Sequence, residues 1–314
     1  MDKYIEKCIR ICSDIEYCKE TIKCENKILT GYSGKKLCTA LQLFTKELVG
    51  KNDIYLEIGV FQGLTLLSNA NFNKNAMCIG IDNFSLFNKD GNNKKIVEER
   101  INKLDINNVK LIDMDFEDAL DNFENLLKGK KVGVFFIDGA HDYRSQLISL
   151  LKIKRFLSDE CVIIIDDANY AHVRQATKDF LASESDFKMI CQAYTKAHPA
   201  NLSSNEKKIA IDGWWNGVNI LVKDKNNDLQ NINPKVSREN RDQHFFNHDI
   251  MRTRYTEVLI KILNLSIEYK EKEDNDKLRK IDKILKEHKS KTISRYESHN
   301  TYSENLKEFE LHNL

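Results

Sequence analysis

Short apolar runs alternating with helix-like stretches constrain this chain more than any other feature. IYLEIG, MCIGID, VKLIDM, VGVFFID and CVIIIDD recur between LLSNANF, IVEERINKL, FEDALDNFENLL and YRSQLISLLKIKRFL, whose apolar residues have helical spacing. That order predicts an α/β fold with a doubly wound, mostly parallel sheet. FKMICQAY and GVNILVK would complete it, giving a seven-stranded sheet, and the loop between them holds Pro199, Asn201, Trp214 and Trp215. LCTALQLFTKEL reads as the helix before the first strand. The expected organisation is a helical N-terminal extension over 1–30, a core domain over 31–225, and a helical, charged C-terminal extension over 226–314. In the last part Leu278, Ile281 and Leu285 have one-face spacing, which suits packing on the domain or on a second copy in a homo-oligomer.

Composition narrows the partners. Lys plus Arg number 49 against 48 Asp plus Glu, so no broad positive field gathers phosphates, and the expected partner is a small molecule rather than nucleic acid. No apolar run approaches the ~20 residues that span a bilayer, so no membrane partner is expected. The start, MDKYIEKCIR, lacks the order of a secretory signal, and a cytoplasmic location is expected. Cys8, Cys12, Cys18 and Cys24 match no common zinc or redox spacing; Ile5, Cys8, Ile9 and Cys12 instead form a helical stripe in which cysteine serves as a small hydrophobe.

The first strand ends in Glu57-x-Gly59-x-x-x-Gly63. A dinucleotide fingerprint would be GxGxxG with its amides on pyrophosphate, and Glu57 occupies the place of its first glycine. A carboxylate beside a pyrophosphate meets like-charge repulsion, which disfavours a nicotinamide oxidoreductase. A cationic amino-acid head suits the position, because Glu57 can attract an ammonium or order water around it. S-adenosylmethionine is such a ligand. Asp82, at the end of the second strand, stands where an acid accepts from ribose hydroxyls. After the third strand, Asp115 and Phe116 are candidates for the adenine amino group and the face of the base.

FFIDGAHDY and VIIIDDANY put Asp138, Asp166 and Asp167 at carboxyl edges of the sheet. Carboxylates sharing a site raise one another's pKa values, and a divalent cation among them relieves this; oxygen ligands suit magnesium. Asp166 and Asp167 reach one ion only if the strand breaks there; otherwise one of them caps the helix near Tyr170 and the other is solvated. His141, three residues after Asp138, is the candidate base, with capping or exposure as its plainer role.

With these residues stated, Gly31 to Lys223 resembles class I S-adenosylmethionine-dependent methyltransferases. EIGVFQGLTLL, FIDGAHDY and VIIIDDANY are most similar to the macrocin O-methyltransferase-like group of sugar O-methyltransferases. The resemblance implies Glu57, Gly59 and Gly63 at the methionine end, Asp82 at the ribose, magnesium on Asp138, Asp166 and Asp167, and His141 as base. Some relatives carry an acid where this chain has Ala140. The expected reaction is Mg-assisted methyl transfer to a hydroxyl of a sugar or catechol-like diol, with Trp214 and Trp215 as candidates to stack on a sugar face. The alternatives are a metal-independent N-methyltransferase and a non-catalytic nucleoside-binding domain.

Overall fold

The computed structural model describes residues 1–17, 28–85, 87–88, 90–236, 258–267, 269, 276–287 and 309–312; Cys18 and Cys24 lie outside them. Two compact units emerge, one of Met1–Lys235 with Tyr302–Leu314, the other of Val236–Thr301. In the second unit, residues 258–267 and 276–287 are helical, and Leu259, Leu263, Leu278 and Leu285 are exposed. No helix among the described residues is long and apolar enough to cross a membrane.

The first unit is a sheet wrapped by helices. Its strands are β1 (Asp53–Ile58), β2 (Met77–Asp82), β3 (Val109–Asp113), β4 (Lys131–Ile137), β5 (Leu157–Asp166), β6 (Phe187–Ala193), β7 (Val218–Lys223) and β8 (Phe309–Leu311). The helices are α1 (Lys3–Tyr17), α2 (Lys35–Leu48), α3 (Leu64–Phe72), α4 (Asn93–Lys103), α5 (Phe116–Asp121), α6 (Phe123–Leu127), α7 (Tyr143–Ile153), α8 (Ala171–Ser183) and α9 (Ser204–Asp212). Sheet order is β3-β2-β1-β4-β5-β7-β6-β8. The first five strands run parallel, while β7 is antiparallel to β5 and β6. The α/β doubly wound fold is therefore present, with eight strands instead of seven. The additional strand, β8, pairs with Cys191–Ala193 and is only three residues long, too short for a periodic signal.

Both faces of the parallel strands are covered, which is why they read as continuous apolar runs. On β1, Tyr55 joins the core cluster that includes Leu41 and Phe44 of α2, while Ile54, Leu56 and Ile58 join the one that includes Phe123 and Leu150. Helix α1 belongs to the first of these cores. Ile5, Cys8 and Cys12 are fully buried, and each buried isoleucine contributes roughly 1.5–3 kcal/mol. Burial pushes the thiols of Cys8 and Cys12 well above their ordinary range, so both are protonated packing groups.

Strand order reverses between β1 and β4, the point in such sheets where a crevice opens at the carboxyl edge. Backbone contact there is tight. The amide of Asp138 donates to the carbonyl of Ile58 at 2.8 Å, and Gly59, at φ +90°, lies so close that a Cβ on it would fall 1.9 Å from the Asp138 carbonyl oxygen. Gly63, at φ +83°, is the N-cap of α3. Below this loop Glu57 is fully buried, accepting from the Tyr55 hydroxyl at 2.5 Å and the Thr65 hydroxyl at 2.7 Å. Burial outweighs these donors and pushes Glu57 up to about 8.

Two predictions follow from this junction. Gly59→Ala should cost about 3 kcal/mol or more, since neither the Asp138 carbonyl nor the left-handed backbone tolerates a methyl group; chemical denaturation measures it. Because Glu57 is raised on folding, its contribution to stability is full below its ordinary value of 4.5 and is lost as pH rises to about 8. Glu57→Gln should remove that slope, on the order of a few kcal/mol across the window, in melting curves recorded from pH 4.5 to 8.5.

Candidate active site

The crevice is built from strand ends. Asp138 follows β4, and Asp166 closes β5. At Asp167 the backbone turns left-handed, φ +58°, breaking the strand as paired acids on one side require. The break is fixed from below by Arg174 of α8, which is buried and donates to the carbonyls of Ala168 at 2.8 Å and Asn169 at 2.6 Å.

These turns bring Asp138, His141 and Asp167 together, with one ligand atom of each inside a 4.8 Å group. Nε2 of His141 lies 2.5 Å from Oδ2 of Asp167, and the Asn216 side-chain amide donates to Oδ1 of the same carboxylate. Asp166 stands apart: its Oδ1 accepts the backbone amide of Asp167 at 2.8 Å, and only 2% of the residue is exposed. The carboxylate of Asp138 takes no hydrogen bond from any described residue. The cap of α8 is Tyr170 without a side-chain bond, so neither aspartate caps that helix.

Charge follows from this packing. Burial, then the neighbouring Asp166 and Asp167, raise Asp138 well above the carboxylate range. Burial and Asp167 do the same to Asp166. Burial would raise Asp167 too, but the imidazole of His141 and the Asn216 amide outweigh it and hold Asp167 low. Burial would lower His141, yet the Asp167 carboxylate raises it. The imidazole and the Asp167 carboxylate support one another, while burial and like charge favour the protonated forms of Asp138 and Asp166. Asp138 and Asp167 supply carboxylate oxygens of the kind magnesium takes while keeping several waters, so these residues fit that ion.

Asp82 lies across the glycine loop. Its Oδ2 accepts the amides of Val60 and Phe61, both at 2.8 Å, and its Oδ1 accepts that of Phe84 at 2.6 Å. It therefore holds the loop around Gly59 to the end of β2. Glu57 acts from underneath, its oxygens directed to Tyr55 and Thr65 rather than exposed to a ligand. Asp115 is the N-cap of α5, accepting the amide of Glu117 at 2.8 Å, and Phe116 is half-buried against the core.

Several residues at the crevice carry no signal in the sequence reading. His198, in the loop after β6, feels the charges of Asp167 and His141; its Nδ1 accepts the Ala200 amide at 3.1 Å, and burial holds its pKa down. Its ring meets that of Trp215 edge-on at 6.4 Å. Tyr32, 65% exposed, stacks on Phe61 of the glycine loop at 5.3 Å and lies 6.1 Å from Trp215. The two tryptophans part here. Trp215 joins this aromatic row, whereas Trp214 is buried, with Nε1 donating to Glu16 at 2.8 Å and its ring over Phe309 at 6.5 Å. Tyr55 could have been found from its spacing to Glu57, because residues two apart on a strand share a face.

Among solved structures, the chain is similar to an O-methyltransferase from Bacillus cereus in complex with SAH, at 15% identity over 71% of this chain and 91% of that one, TM-score 0.46. It is also similar to an SAH-bound methyltransferase of Podospora anserina, at 13% identity over 72% and 98%, TM-score 0.45. A TDP-rhamnose 3'-O-methyltransferase of calicheamicin biosynthesis aligns at 13% identity over 58% and 87%, TM-score 0.41. No curated protein sequence matches the chain. Residues 56–168, the stretch running from the end of β1 through Asp82, Asp138 and His141 to Asp167, match the family model of a methyltransferase domain.

Proposed function

We propose that this protein transfers the methyl group of S-adenosylmethionine to a hydroxyl oxygen of a small molecule, a sugar or another vicinal diol, with magnesium at the acid cluster. The observation that carries the reading is the contact of Gly59 with Asp138: the loop that would receive the donor and the acids that would receive the acceptor meet at one backbone crossing. The methyltransferase-domain match over residues 56–168 supports it.

In this reading the loop from Gly59 to Gly63 accommodates the methionine end of the cofactor, and Asp82 both fixes that loop and accepts from the ribose. Asp115 and Phe116 flank the adenine. Asp138 and Asp167 hold the cation, with Asp166 positioning Asp167 through its backbone amide. The ion's chemistry is to lower the pKa of a coordinated hydroxyl and orient it. Imidazole is a less natural ligand for magnesium than carboxylate, so His141 stays available for the proton. Its Nε2–H points to Asp167, leaving the lone pair of the neutral ring on Nδ1. As the acceptor oxygen bonds to the methyl carbon, the sulfur–methyl bond breaks and the hydroxyl proton passes to His141. Asp167, itself held by Asn216, orients the ring and stabilises the imidazolium.

Asp82→Ala should weaken S-adenosylmethionine binding at least tenfold in calorimetric titration while leaving magnesium affinity unchanged; equal cofactor affinity would remove Asp82 from that role. His141→Ala should keep cofactor binding and slow S-adenosylhomocysteine production about 10²-fold or more with a panel of sugar and catechol diols. Chelation by EDTA should abolish the same turnover, and full activity after chelation would remove the metal from the reaction.

A further inference from the structure

Lys188 is buried in a way that its neighbours do not explain. It follows Phe187 at the start of β6, only 1% of it is exposed, and Phe187 and Met189 on either side are core residues. An ammonium carries three donors. Among the described residues this one meets a single neutral acceptor, Oδ1 of Asn231, and forms no ion pair. A buried charge without an opposite charge costs stability, so the site is incomplete as it stands.

The surroundings form a receptacle. Lys188 lines a cavity of about 220 Å³ together with Ser185, Asn231 and Asn233. One wall is the end of α8, and the other is the segment 229–235 returning past it. That segment is fixed by side chains: the Leu229 amide donates to Asp224 Oδ2 at 2.8 Å, and Arg174 Nε donates to the Lys235 carbonyl at 2.9 Å. Ile232 packs against the core. Asn231 is therefore held in place, and its own amide N–H groups remain as donors beside the ammonium. Among the described residues, no carboxylate lines the cavity. β6 runs parallel to β5, so Phe187 and Lys188 mark the amino edge of the sheet, at the opposite end from the acid crevice.

We infer that this cavity is a binding site for a small anion, inorganic phosphate or a short carboxylate, seated on Lys188 and the amide of Asn231. The occupant completes a charge pair that the chain leaves half built and ties the segment 229–235 to β6 and α8. The inference does not depend on the methyl-transfer reading.

Calorimetric titration of the full-length protein with sodium phosphate and, separately, sodium acetate, at ionic strength held constant with chloride, tests it. Saturable 1:1 binding of at least one is expected, with the two arms separating a phosphate site from a carboxylate site. Lys188→Met, which fills the same volume without charge, should weaken that binding at least tenfold. Asn231→Asp supplies the carboxylate from within: it should abolish binding of the added anion and raise Tm by about 2–4 °C. No saturable binding of either anion would overturn the inference, as would binding unchanged in Lys188→Met or an Asn231→Asp variant that melts no higher than the parent.

Discussion

Crowding of carboxylates at one edge of a low-dielectric sheet is the constraint around which this molecule is arranged. Glu57, Asp82, Asp138, Asp166 and Asp167 stand at the ends of four different parallel strands, and they repel one another in a region with little water. The fold answers each with a specific donor. Asp82 receives three backbone amides, Glu57 two hydroxyls, Asp166 the amide of its neighbour, and Asp167 an imidazole and a carboxamide. Asp138 is left without such a donor among the described residues.

Those donors need rigid backbone behind them, and distant parts of the chain supply it. Arg174 fixes the turn after Asp167, and the loop carrying Trp214, Trp215 and Asn216 comes from between α9 and β7. Trp214 links that loop to Glu16 of α1 and Phe309 of β8, so the N-terminal helix and the last described strand brace the segment that delivers Asn216 to Asp167. The Tyr4 hydroxyl donates to the Lys223 carbonyl at the far end of β7, tying α1 to the same strand again. Elements that look peripheral in sequence therefore carry the outer support of the acid cluster.

What the sequence made legible follows from the range of the forces involved. Strands β1 to β7 announce themselves because double burial demands uninterrupted apolar runs, and the glycine loop does so because only glycine permits the approach to Asp138. The acids at strand ends were visible for the same local reason. Helix α9 was legible in principle through its capping box, Ser203 with Glu206, but was read as loop. Asn216, His198 and Tyr32 were not, because each reaches the crevice from a loop whose path is set by tertiary packing. The different fates of Asp166 and Asp167 were half legible: alternation required a break, but only the left-handed turn at Asp167 decides which carboxylate joins His141.

The two histidines of the crevice show how much that packing decides. They have the same side chain and share Asp167 as a neighbour, yet His141 is raised and His198 lowered. The difference lies in contact. His141 bonds the carboxylate directly, whereas His198 feels it at a distance and spends Nδ1 on the Ala200 amide. A neutral ring whose Nδ1 accepts a backbone amide carries its proton on Nε2, so it offers a donor and cannot take a proton without breaking its own loop. His141 has the reverse arrangement: its Nε2–H is anchored and its Nδ1 is the basic atom. Geometry therefore separates, at one crevice, a ring committed to its own loop from a ring anchored on a carboxylate.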